Sequence, residues 1–164
     1  MGGLVHLVGM DLERNLKIDS VARLNPTPPR CIKPEESVAH AVALMRQEKV
    51  GCLLVCEKDE LIGIFTERDL LRRVLADNCS LDLPVSNFMT PRPVIVQSKQ
   101  PISAAVRLME QGGYRHLPVV NEAGCPVGVL SVKRIVHYLV EHFPSTVYNL
   151  PPDPGIVPQE REGA

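Results

Sequence analysis

The chain has 164 residues, of which 45% are hydrophobic and 23% are charged. These values are ordinary for a folded globular protein, so the composition excludes fibrous and wholly disordered classes. The formal net charge is −1, from 18 basic and 19 acidic residues, which gives no overall attraction to nucleic acid or to an anionic membrane. Any site for an anion must therefore be local.

The first ten residues are apolar, but they lack a basic start and are too short to span a membrane. We therefore expect no signal peptide and predict a cytoplasmic protein, with residues 1–19 as an N-terminal extension. The five cysteines are odd in number and none stands in a Cys-x-x-Cys pair. Reduced, mostly buried thiols and no metal site are expected.

An internal repeat dominates the sequence. The segment from Cys31 to Met45 lines up with the segment from Ile95 to Met109, a period of about 64 residues, and the apolar positions match one for one. Both segments open with a short strand and then place apolar residues at the i, i+3, i+4 and i+7 positions of an amphipathic helix.

Each predicted helix is followed by two short apolar runs with a polar turn between them, a pattern that predicts a β-hairpin. These runs cover residues 50–56 and 61–66 in the first repeat, and 114–120 and 127–131 in the second. Each hairpin ends in a Thr or Ser that can cap a helix. The helices that follow are predicted over residues 67–77 and 132–142.

The predicted unit is therefore strand, helix, strand, strand, helix, in an α/β (α+β) fold. One such unit buries too little apolar surface to be stable alone, so the two copies should pack face to face with pseudo-two-fold symmetry. We place the first repeat at residues 20–77, a linker at 78–83 and the second repeat at 84–143. The Pro-rich composition of residues 144–164 predicts a flexible tail.

Two motifs resemble those of a known family. Gly63-Ile-Phe-Thr-Glu-Arg-Asp69 resembles the Gly-h-x-Thr/Ser-x-x-Asp signature of CBS domains, where h is hydrophobic, and Tyr114-Arg-His-Leu-Pro-Val-Val120 resembles their strand motif. The resemblance implies a tandem CBS pair, also called a Bateman module. Such modules are regulatory, usually pair into dimers, and commonly bind AMP, ADP or ATP between the repeats. Some members bind S-adenosylmethionine or NAD-type ligands instead.

The resemblance also implies which residues bind the nucleotide. Asp69 is expected to accept hydrogen bonds from two ribose hydroxyls, while Arg115 and His116 bind phosphate oxygens. The other implied site residues are Ile64, Thr66, Pro93, Val94 and Pro118. Simpler alternatives remain open: a helix capping box for Thr66 and Asp69, solvent-facing or structural roles for the basic pair, and ordinary core packing for the apolar residues.

The equivalent positions around the other repeat define a second site, formed by Arg30, Cys31, Val129, Ser131 and Arg134. Asp69 aligns with Arg134, which cannot accept a hydrogen bond from ribose. Arg115 and His116 align with Gly51 and Cys52, which carry no positive charge. We therefore predict that the second site is degenerate, with its polar groups lost, and that about one nucleotide binds per chain.

The resulting functional hypothesis is a homodimeric sensor of an adenine nucleotide that acts on a separate, unidentified protein. Two alternatives are a ligand-free dimerisation scaffold and, less favoured, a nucleotide-processing or thiol-dependent enzyme. The sequence contains no Walker loop and no nucleophile elbow. No catalytic cofactor, nucleic acid partner or membrane partner is expected.

Overall fold

The protein, described here by a computed structural model, is defined over residues 11–144 and at residue 147. A helix over residues 11–18, α1, precedes two copies of the predicted unit. The first copy contains β1 (Cys31–Ile32), α2 (Val38–Glu48), β2 (Cys52–Glu57), β3 (Glu60–Thr66) and α3 (Glu67–Asp69). The second contains β5 (Val96–Gln97), α4 (Ile102–Gly112), β6 (His116–Val120), β7 (Pro126–Ser131) and α5 (Val132–His142). The strand, helix, strand, strand, helix order is confirmed.

The helices begin and end where the sequence supplies capping groups. The Ser37 hydroxyl accepts a hydrogen bond from the His40 N–H at 3.1 Å and so caps α2, whose apolar stripe is buried. At the other end of the equivalent helix, α4, Gly113 adopts a left-handed conformation with φ of 64°, which glycine takes without steric cost. In the first repeat α3 continues as a π-helix over Leu70–Leu75.

Each sheet is completed by a segment that leads into the other repeat. The first sheet has the order β1-β2-β3-β4, and β4 (Thr90–Pro91) lies just before the second repeat. Reciprocally, Thr27, just before β1, pairs with Val129 of β7 through N–H···O bonds of 2.9 and 2.8 Å. The sequence pattern did not predict this exchange.

The same exchange supplies side chains to both cores. The short helix Val21–Leu24 contributes its two buried end residues to the core of the second repeat. Val85 and Phe88, which come just before β4, are buried in the core of the first repeat. Neither repeat therefore has a core made solely of its own residues, and separating them would expose apolar surface on both.

The two sheets meet face to face, as predicted. Cys52, Leu54 and Ile64 from the first sheet form one buried cluster with Val129 from the second. In the part of the chain that the structure describes, no helix is both long enough and apolar enough to cross a membrane. The predicted tail, except residues 144 and 147, and the first ten residues of the N-terminal extension lie outside the described residues.

Candidate functional site

Asp69 is the only charged side chain that is buried within residues 11–144. It lies at the start of α3, where Thr66 is the N-cap residue. The Thr66 N–H and hydroxyl donate to Asp69 Oδ2 at 2.9 and 2.7 Å, and the Asp69 N–H donates to Thr66 Oγ1 at 3.2 Å. The capping box left open by the sequence is therefore present.

The second carboxylate oxygen of Asp69, Oδ1, accepts neither of the hydrogen bonds from Thr66. The nearest cationic group, Arg73 Nε, lies 3.5 Å from Asp69 Oδ1, a distance longer than an ordinary N–H···O bond. The Arg73 guanidinium instead donates to the backbone carbonyls of Phe88 and Met89 at 3.0 Å each. Asp69 Oδ1 therefore keeps acceptor capacity, so a capping role and a ligand-binding role are compatible.

The other residues of the predicted first site differ in their surroundings. Ile64 is buried in the cluster between the repeats and pairs with Thr90 of β4. Pro118 is buried on β6 opposite Val129, whereas Arg115 and Val94 are exposed. Core packing thus explains Ile64 and Pro118, but it does not explain Val94 or Arg115.

His116 is half-buried where the repeats meet. A Cβ atom added to Gly51 would lie 3.4 Å from His116 Cε1 and 3.6 Å from Glu67 Oε2, so both side chains approach that glycine. Burial lowers the pKa of His116, and the nearby Arg115 lowers it further, while Glu67 opposes the shift. The imidazole is therefore mainly neutral near pH 7 and would donate one N–H to a ligand.

A cavity of about 610 Å³ opens beside His116, and we call it the basic cleft. Its wall includes four predicted second-site residues, Arg30, Val129, Ser131 and Arg134, and also His116, which the sequence had assigned to the first site. Lys49 and Lys133 add two more positive charges, and none of the described residues lining the cleft is acidic. The Ser131 hydroxyl caps α5 by accepting the Arg134 N–H at 3.3 Å, but no carboxylate completes a capping box there.

The cleft nevertheless carries positive charge that the comparison of aligned positions did not predict. The aligned positions Gly51 and Cys52 do lack charge, and the cations are Arg30 and Arg134 of the predicted second site together with Lys49 and Lys133. Lys133 lies beside Arg134 inside the second copy of the signature, and this pair of cations could have indicated a positively charged site. Arg30 also forms an ion pair with Glu48 at 2.5 Å, which fixes the guanidinium at the cleft wall.

Cys31 is the predicted second-site residue that does not line the basic cleft. Successive strand residues point to opposite sides, so Cys31 turns away where its neighbour Arg30 faces the cleft. Cys31 and Cys125 are exposed, Cys56 and Cys79 are half-buried, and Cys52 is buried. The expectation of mostly buried thiols is therefore wrong. Among the described residues, no group of three or more His, Cys, Asp or Glu side chains could hold a metal ion.

Comparison with known sequences decides the family. The sequence model of the CBS domain matches residues 21–76 and 85–141, which coincide with the two repeats. The chain belongs to the CBS domain family. Solved structures of the family share the architecture of this CBS pair. A CBS domain structure 29% identical in sequence superposes with a TM-score of 0.69 and covers 74% of this chain and 98% of that one.

Other relatives differ in length, and one of them has been solved with a bound ligand. This CBS pair is 29% identical over 122 residues to an uncharacterized 17.7 kDa protein of Acidianus ambivalens, covering 74% of this chain and 73% of that protein. It is 31% identical to a CBS domain-containing protein of Arabidopsis thaliana, of which it spans only 19%, and 65% of this chain is matched. The crystal structure of CBSX2 in complex with AMP is 28% identical, with a TM-score of 0.64 over 74% of this chain and 96% of that one.

Proposed function

We propose that this CBS pair senses an adenine nucleotide, AMP, ADP or ATP, and relays its occupancy to a separate protein. The observation that carries the proposal is the buried carboxylate of Asp69 in the first helical turn after Thr66, whose Oδ1 lies 3.5 Å from Arg73 Nε and accepts neither capping hydrogen bond. A buried carboxylate without full hydrogen bonding is costly, and two ribose hydroxyls would supply the missing donors. The AMP bound by CBSX2 supports the choice of ligand.

In this proposal, residues of the second repeat bind the remaining parts of the nucleotide. Exposed Arg115 presents a guanidinium, which binds phosphate oxygens in a bidentate manner. Pro93 and Val94 follow β4 and remain accessible, so they offer an apolar surface for the adenine. S-adenosylmethionine and NAD-type ligands carry the same adenosine group, and Arg115 favours the ligands with phosphate.

A second candidate ligand site is the basic cleft, because four cationic side chains line it without an acidic residue among the described ones. Its volume lies within the range of small-molecule sites. Arg134 replaces the ribose-binding carboxylate, so the cleft suits a phosphate-rich anion rather than a nucleoside. The two sites of the pair are then unequal in chemistry as well as in affinity.

Calorimetric titration with ATP tests this assignment. We expect one nucleotide per chain at the Asp69 position, recovered chemically unchanged after incubation with magnesium. Any second, weaker binding step should disappear when inorganic triphosphate is present, because triphosphate competes for the basic cleft but lacks a ribose. Two equivalent nucleotides per chain would contradict the assignment, and steady formation of ADP would favour an enzyme.

We also propose that the CBS pair forms a homodimer in the cytoplasm. Leu71 and Leu75 on the π-helix and Val132 and Val136 on α5 are large apolar side chains exposed on the last helix of each repeat. Apolar patches of this kind mark interfaces, and a two-fold axis would bury both copies of a patch at once.

Light scattering at micromolar concentration should therefore give twice the chain mass of 18.1 kDa. Leu71→Glu should shift the protein toward monomer, since it would bring two carboxylates together in the interface. Val127→Glu is the matched control, because Val127 is exposed on β7 and outside these helices. A monomeric wild-type protein, or equal effects of both variants, would disprove this interface.

A further inference from the structure

Two thiols of the first repeat meet at the edge of its sheet. The edge strand β1 pairs in parallel with β2, with Cys31 opposite Leu54. On the other side of β2, its pairing with β3 shifts register between Val55 and Cys56, and the Cys56 thiol donates to the Cys31 sulfur at 3.2 Å. The two cysteines are 25 residues apart in sequence, so no short spacing motif predicts the pair.

The pair is accessible from solvent through a second cavity, separate from the basic cleft. This cavity measures about 580 Å³, and its wall includes Cys31 and Cys56 together with two basic and four acidic residues, Lys33, Lys58, Glu35, Glu36, Glu57 and Asp59. Cys31 is exposed, and Cys56 is half-buried behind it. A small polar disulfide can therefore reach the Cys31 sulfur directly, whereas the Cys56 sulfur would react afterwards with the modified Cys31.

We propose that Cys31 and Cys56 form a redox-active dithiol that a small-molecule disulfide, such as oxidised glutathione, converts reversibly into an intramolecular disulfide. In the first step the Cys31 thiolate attacks one sulfur of the oxidant, forming a mixed disulfide and releasing one glutathione thiolate. In the second step the Cys56 sulfur attacks the Cys31 sulfur, losing its proton to solvent and releasing the second glutathione. The protein is oxidised by two electrons, and one glutathione disulfide is reduced to two thiols.

The environments of the two sulfurs set this order. Burial, together with the Cys31 thiol and Asp59, raises the pKa of Cys56 to about 12, so its thiolate is scarce in the reduced protein. The exposed Cys31 sulfur is the one that meets the oxidant. Once Cys31 is a mixed disulfide, its thiol no longer opposes ionisation of Cys56, and the short separation favours attack by Cys56.

Peptide mapping by mass spectrometry tests the proposal on the full chain, reduced and then incubated with oxidised glutathione. We expect the protein mass to fall by two hydrogens, with a cross-linked peptide pair containing Cys31 and Cys56, and dithiothreitol should reverse the change. The midpoint temperature of thermal unfolding should rise on oxidation. The disulfide would also constrain the unfolded chain and so lower its conformational entropy. Cys125→Ser is the matched control, since Cys125 is also exposed, and it should behave like the wild type.

The single variants separate the two roles. Cys56→Ser should stop at the first step and retain one glutathione on Cys31, whereas Cys31→Ser should react much more slowly than the wild type. Circular dichroism before oxidation establishes that both variants fold. Stable glutathione adducts on wild-type Cys31, a cross-link through Cys125, or equal reactivity of Cys31→Ser would each overturn the proposal.

Discussion

Replacing Asp69 by Asn should weaken the binding of an adenine nucleotide by about tenfold or more, because a hydrogen bond to a charged acceptor contributes roughly 1.5–3 kcal/mol. The amide oxygen of Asn can still accept both hydrogen bonds from Thr66 and so retain the capping box. Its amide nitrogen would then take the position of Asp69 Oδ1 and offer a donor where ribose needs an acceptor. The affinity loss should therefore appear without loss of the fold.

The choice of Asn matters because Asp69→Ala would change two properties at once. Alanine leaves the Thr66 N–H and hydroxyl without their acceptor, which costs about 0.5–2 kcal/mol of stability for the loss of a cap. Arg134→Ala is the matched control at the equivalent position of the second repeat and should leave nucleotide affinity nearly unchanged. Unchanged affinity in folded Asp69→Asn, or a loss confined to Arg134→Ala, would show that the ribose binds elsewhere.

The fold was largely predictable because its elements carry local periodic signals. The matching apolar stripes gave both copies of the amphipathic helix, and Thr66 and Ser131 gave the starts of the helices that follow the hairpins. The exchange of Thr27 and β4 between the sheets was not predictable. Pairings of one or two residues have no period, and their partners are fixed only when the repeats pack.

The site was predictable only where a motif covers it. The signature predicts that Asp69 binds a ligand, but the sequence could not rank that role against a capping box, and the structure shows that the box exists. Four residues of the basic cleft were predicted as the second site, but its combined positive charge was not, because Lys49 follows one element and Arg30 precedes another and only tertiary packing brings them together. The thiol pair was not predictable for the same reason: Cys31 and Cys56 belong to different strands, and only tertiary packing brings them together.

The exchange also explains the glycine of the signature in each repeat. A Cβ atom on Gly128 of β7 would lie 2.8 Å from Pro26 Cβ, closer than real Cβ atoms come, and at a tight 3.3 Å from the Thr27 carbonyl oxygen. Gly63 of β3 is crowded by the Met89 side chain and by the Thr90 carbonyl oxygen at 3.2 Å. In both repeats, therefore, the segment that pairs with the strand also packs closely against its glycine.

Gly128→Ala should accordingly destabilise the protein by about 1–3 kcal/mol, the usual cost of overpacking a well-packed interior. The Pro26 ring is rigid, and two backbone hydrogen bonds between Thr27 and Val129 hold it in place, so it cannot yield cheaply. Gly63→Ala should cost less, because the Met89 thioether can rotate away.

Urea unfolding of each variant measures the difference in free energy. Gly51→Ala is the control, since a Cβ there meets its nearest neighbour, His116, at an ordinary 3.4 Å and the change should be close to neutral. Adding Pro26→Gly to Gly128→Ala should recover part of the loss, because it removes the clashing Cβ. If Gly128→Ala is as stable as Gly51→Ala, the Pro26–Thr27 segment does not pack against β7 as closely as the structure shows.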